Sequence, residues 1–206
     1  MRRRREREHG QGMVEFAIIV PAFMLLLLGM LEFGFLFDHT LTLQYASREG
    51  ARVGSALANG GGPLGCDFAD GESPNAADVD PLVIAAVTRV LLSPGSRVAV
   101  DQVPTISIYS ADSAGNQTGS LVNTWTYAPG GGPLVDGRAL DYREASVGWA
   151  ACGRRNGSPV DSIGVSLTYT YSFQTPLGNV LRFFGGSGWS SITVSDRTVM
   201  ALNPTD

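Results

Sequence analysis

Two histidines, His9 and His39, are the only imidazoles in the chain. One lies in an arginine-rich tip and the other beside an apolar run, so the body beyond them has no imidazole for a Ser-His-Asp triad or a His-rich metal site. Carboxylate pairs remain, Asp67 with Asp70 and Asp78 with Asp80, at spacings that could divide acid and base roles. They fall among Gly, Pro and Asn, which reads as solvated loop. The two cysteines, Cys66 and Cys152, are too few for a Cys-rich zinc site, and no Gly-rich loop with a lysine exists to cradle phosphate. Catalysis, metal and cofactor binding are therefore not expected. The informative carboxylate is Glu15, at the inner edge of an apolar run, where burial costs on the order of 3 kcal/mol unless the group is paired or near water.

The element that must position Glu15 is the run itself. From Phe16 to Leu31 there is no charge, and after Glu32 the chain continues Phe33-Gly34-Phe35-Leu36-Phe37. These 22 residues reach about 33 Å as a helix, enough for a hydrocarbon core of about 30 Å. A cleavable secretory signal has a shorter apolar region and a small-residue cut site, so an uncut anchor fits better. The net charge of -4 conceals an asymmetry: Arg2 to Arg5 and Arg7 crowd the tip, and the rest of the chain is acidic. The positive-inside rule places that tip in the cytoplasm and the C-terminal body outside. With 17% charged residues and an acidic body, nucleic acid is not an expected partner.

Beyond the run, Leu41, Leu43, Tyr45, Ala46, Val53 and Leu57 continue a helical pattern to the stop at Asn59-Gly60-Gly61-Gly62-Pro63. The expected organisation is a basic leader over 1–10, a transmembrane and stalk helix over 11–58 bent at Pro21, and an extracytoplasmic domain over 59–206. In that domain Asp80 and Pro81 suggest the N-cap and first position of a helix that runs to Ser93. Strands are expected at Val98–Val100, at Ile106–Ile108, at Leu121–Tyr127 and over Ser191–Leu202. The clearest alternates Ile163, Val165, Leu167, Tyr169, Tyr171 and Phe173 with Gly, Ser and Thr. The fold class is α+β: a long N-terminal helix, then a small domain with one further helix packed on an antiparallel sheet. Pro176–Gly185, rich in Leu, Val and Phe, reads as an apolar turn that packs on the fold or meets a subunit or a membrane surface. Cys66 and Cys152, both outside, are expected to form a disulfide worth about 3–5 kcal/mol in the chain-entropy model.

Two readings of Glu15 stay open on composition alone: an interfacial group that snorkels, or a paired one. The second follows from spacing, because a cut after Gly10 would give Gln11 a new amine one helical turn from Glu15. A neighbouring subunit's amine and this carboxylate would then neutralise each other.

The stretches Gly10-Gln11-Gly12-Met13-Val14-Glu15-Phe16-Ala17, Leu31-Glu32-Phe33-Gly34 and Leu43-Gln44-Tyr45-Ala46-Ser47-Arg48-Glu49-Gly50-Ala51-Arg52 together resemble the TadE-like minor pilins, or pseudopilins, of tight-adherence (Flp) pilus systems. The resemblance implies a bacterial structural component of type IV pilus assembly, with the lipid bilayer, other pilin subunits, the assembly platform and a prepilin peptidase as partners. It implies cleavage between Gly10 and Gln11, assembly roles for Glu15 and Phe16, and a place at the pilus base or tip in adhesion. Gly12 competes as a cut site but would leave Glu15 third in the mature chain. The alternative is a single-pass membrane-anchored binding module unrelated to pili.

Overall fold

The computed structural model describes residues 5–58, 76–186 and 191–203. The chain is α+β, with, among the described residues, a 53-residue helix α1 (Arg5–Leu57), helices α2 (Ala76–Leu91) and α3 (Leu177–Gly185), and seven strands. It divides into two units. One holds Met1–Phe37 with Tyr171–Ile192, and the other Asp38–Thr170 with Thr193–Asp206.

The second unit is the antiparallel domain. Strands β1 (Thr105–Ala111), β2 (Gln117–Tyr127), β5 (Tyr142–Val147), β6 (Ser162–Ser172) and β7 (Ser191–Ala201) form one sheet in the order β5-β2-β1-β6-β7. A separate ribbon pairs β3 (Leu134–Val135) with β4 (Arg138–Ala139). Ile106 faces Trp125 on one side and Leu167 on the other, and Ile108 faces Asn123 and Val165 in the same way. These rows make the buried face; Ser107, Thr124 and Ser166, one residue out of phase, make a half-buried hydroxyl face. The strict alternation in β6 is the physical cause, since successive side chains of a strand point to opposite faces. Ile163, Val165, Leu167 and Tyr169 are all fully buried, each aliphatic side chain contributing about 1.5–3 kcal/mol.

The buried face is covered by α2 and the latter part of α1. Leu43, Ala46, Ser47, Gly50, Ala51 and Gly54 are buried at helical spacing on α1, and Val79, Val83, Ile84, Val87 and Leu91 on α2. The contact is close at two glycines. A Cβ on Gly50 would stand 2.6 Å from Val87 Cγ2 and 3.2 Å from Val165 Cγ1, and one on Gly54 would stand 2.6 Å from Ile163 Cδ1. Ser47 adds a polar tie, its hydroxyl donating to the Asp196 carboxylate and meeting Thr198 Oγ1 at 2.8 Å. Asn203 N–H donates to the Ser55 carbonyl at 2.9 Å, tying the end of β7 to α1.

Several sequence expectations are corrected. Helix α1 as described spans Arg5–Leu57, so residues 5–10 of the expected leader are helical, which leaves the expected division into leader and mature helix untouched. Pro21 lies inside it without ending it, as expected from the sequence. Val98–Val100 is no strand: the segment leads into a 3-10 turn, Val100–Gln102, that brings the chain to Pro104. Asp80 is not an N-cap, since α2 starts four residues earlier and Pro81 sits in its interior. Strands β3, β4 and β5 have no counterpart in the expectations, and the apolar turn at Pro176–Gly185 is a nine-residue helix, α3.

Candidate membrane and assembly site

The first half of α1 has an unusual surface. Among the described residues, Met13, Val14, Phe16, Ile18, Ile19, Phe23, Met30, Leu31 and Phe33 are all exposed, Met13 to 77% and Phe33 to 76%. A window within residues 12–57 reaches a mean hydropathy of 2.4 over 18 residues, which by length and composition suffices to cross a bilayer. Left in water, fourteen large apolar side chains between Met13 and Phe37 would forgo on the order of 20 kcal/mol of burial. Such a helix needs lipid or other helices around it. A protein that supplied its own cover would show the stripe of buried positions seen from Leu43 onward.

Glu15 and Phe16 stand in this bare stretch, both exposed. Gly10 and Gln11 fall within α1, their side chains outside the described set. Gln11 and Glu15 are one turn apart on a continuous helix, about 6 Å in rise.

The second carboxylate of the run is placed differently. Glu32 is 4% exposed. Its oxygens accept the Tyr171 hydroxyl proton, the Gln174 N–H at 2.7 Å and the Thr175 N–H at 3.0 Å. Gln174 and Thr175 stand just before Pro176, the N-cap of α3, so the carboxylate satisfies N–H groups where the chain turns towards that helix. Glu32, Phe33, Leu36, Tyr171, Leu177 and Leu181 line an apolar cavity of about 590 Å³ beside this junction. A carboxylate so served is held by charge-assisted bonds, each worth about 1.5–3 kcal/mol. The sequence showed Glu32 only as an interruption of the run. Its signal was a lone carboxylate there and a tyrosine at the far end of the β6 pattern.

In the other unit, His39 and Tyr169 meet. Tyr169 Oη donates to Gln102 Oε1 at 3.0 Å, which leaves its lone pair for His39 Nδ1–H. Burial, with the Asp101 charge behind it, pushes the Tyr169 phenol up to about 12. It is a neutral hydroxyl at any physiological pH.

The expectation that Asp78 and Asp80 are solvated loop residues fails. Both lie on α2, and Asp80 is buried. Asp80 meets Arg154 at 2.7 Å and accepts Asn123 Nδ2–H at 2.6 Å. The Asn123 carbonyl takes the Gly148 and Trp149 N–H groups at 3.0 and 2.7 Å. The Arg154 guanidinium stacks 4.6 Å from the Trp149 ring centroid. This is an internal clamp between α2, β2 and the loop after β5. Arg154 is fully buried and compensated by Asp80, the arrangement a charge requires inside a protein. Asp67, Asp70 and Cys66 lie outside the described residues, and Cys152 sits in the 3-10 turn Ala151–Gly153.

Residues 10–52 match the family model of TadE-like proteins. The matched segment begins at the expected cut site and ends within the buried seam of α1. No curated protein and no solved structure matches the chain.

Proposed function

We propose that this chain, which carries a TadE-like segment over residues 10–52, is a TadE-like minor pilin or pseudopilin, a non-enzymatic structural component in assembly of a type IV (Tad/Flp) pilus at the cell membrane. The observation that carries the reading is the bare apolar surface of α1 around Glu15 and Phe16. Such a surface suits insertion in a bilayer first and side-by-side packing with other helices later. Charge sets the order. The tip with five arginines holds the uncut chain at an anionic cytoplasmic face, at about 1 kcal/mol per basic residue. A prepilin peptidase cutting between Gly10 and Gln11 removes that hold and creates the amine that Glu15 of a neighbour meets. The extracytoplasmic domain is then presented outside by the continuing helix, braced in this reading by a Cys66–Cys152 bridge.

The test is co-isolation. The tagged chain is expected with a sheared pilus fraction or with its membrane assembly complex, and Glu15→Ala is expected to be inserted but missing from that fraction. Undiminished co-isolation after replacement of residues 11–37 by an unrelated apolar anchor contradicts the proposal.

A further inference from the structure

The tie between Glu32 and the start of α3 has a consequence for the membrane. In the unit that holds both, Leu177 and Leu181 share a cavity with Gly29, Phe33 and Leu36 of α1. If Phe16 starts the hydrocarbon span, Glu32 lies about 24 Å along it, close to the far boundary of a core of about 30 Å. Helix α3 is therefore fixed at the depth of the leaflet boundary.

Its surface fits that depth. At 100° per residue, Leu177, Val180, Leu181 and Phe183 occupy one arc of α3, and Asn179 and Arg182 lie outside it. Leu177 and Leu181 form the half of the arc that is turned to α1. Val180 and Phe183 form the other half, and Phe183 is 83% exposed. At the same level of α1, Met30, Phe33 and Phe37 are exposed as well, to 67%, 76% and 65%. In this unit both α1 and α3 therefore expose large apolar side chains. A short helix with an aromatic on one face and an arginine on the other suits the headgroup boundary, where the aromatic sinks and the arginine reaches phosphate.

We infer that α3 is a second, interfacial membrane contact, with Phe183 inserted in the leaflet at the C-terminal end of the α1 span. The inference rests on the bilayer-spanning reading of α1 and is independent of the pilus role. Its occupant is lipid. A second copy of the chain on this face is an outcome the test detects.

Full-length chain is reconstituted in phosphatidylcholine vesicles as Phe183→Trp and, separately, as Phe23→Trp, and wild-type emission is subtracted. Brominated lipids quench indole at a chosen depth, and iodide quenches it from water. The expected result is that the indole of the Phe183→Trp chain loses emission to near-headgroup bromines more than to mid-chain bromines and is spared by iodide. The indole of the Phe23→Trp chain should lose most to mid-chain bromines. Quenching of the Phe183→Trp chain by iodide and not by bromolipid overturns the inference. So does protection from both quenchers, which shows protein on that face. If the Phe23→Trp chain escapes the bromines, the spanning reading falls and takes this inference with it. If the Phe23→Trp chain is quenched by bromolipid and the Phe183→Trp chain is not, the inference alone falls.

Discussion

Glu32 accepts the Thr175 backbone N–H at 3.0 Å across 143 positions of sequence. A carboxylate inside the apolar run of α1 thereby fixes the point at which the chain leaves β6 and enters α3. Removing it takes away the acceptor that these donors share. Glu32→Ala is expected to remove the acceptor of the Tyr171 hydroxyl and two N–H groups, at about 1–3 kcal/mol each where they stay dry. Hydrogen exchange in detergent micelles should report it as lost protection at Gln174 to Leu181, with β1 and β2 unaffected. Glu32→Gln, which keeps acceptor capacity on one oxygen, should lose less.

Gly50 marks a close approach of α1 and α2. Gly50→Val puts a branched side chain where even a Cβ would stand 2.6 Å from Val87. Overpacking of this kind costs about 1–3 kcal/mol. Gly34→Ala is the control, since nothing lies within 4 Å of its Cβ position. Thermal melts should separate them, with the Gly50 variant melting several degrees lower and the Gly34 variant unchanged or slightly higher.

Asp80 and Arg154 should behave as a unit. Asp80→Ala leaves a buried guanidinium without its counter-charge, at about 3–5 kcal/mol. Replacing both residues by leucine should cost less than the two single changes together. A double-mutant cycle on denaturant midpoints checks this, and simple additivity would speak against the clamp.

His39 makes the domain acid-sensitive. Burial pushes its imidazole below the ordinary value, with Arg97 acting in the same sense and Asp38 opposing. The unfolded chain therefore binds the proton first as pH falls. Stability from this site is complete at neutral pH and is lost progressively as pH drops below about 6.5. His39→Gln should flatten the melting temperature between neutral and mildly acid pH relative to the parent.

How far these features could be read in advance depended on how local their causes are. The Ile163-to-Phe173 alternation needs only the two-residue period of a strand, and β6 follows it through Ser172. The long helix was equally legible, because a stretch without Gly or Pro pairs has nothing to stop it. Asp80 was misread because its purpose is tertiary: Arg154, 74 residues away, supplies the compensation that makes burial tolerable. Strand β5 was missed because five of its six residues are exposed, so no alternation marks it. Helix α3 was missed because nine residues make too few turns to show a period, and what orders its start is Glu32, remote in sequence. For the candidate site, the apolar surface and the Gln11–Glu15 spacing were in the sequence, whereas the placement of Glu32 required the fold.

The central claim is that α1 is a pilin-type helix that starts at residue 11 once mature. Chemical or mass-spectrometric sequencing of the N-terminus of the membrane-inserted protein tests it most directly, with Gly10→Leu measured beside the parent. The account predicts a parent chain beginning at Gln11 and a Gly10→Leu chain retained at precursor length. A parent chain that begins at Met1, or beyond the apolar run, contradicts it.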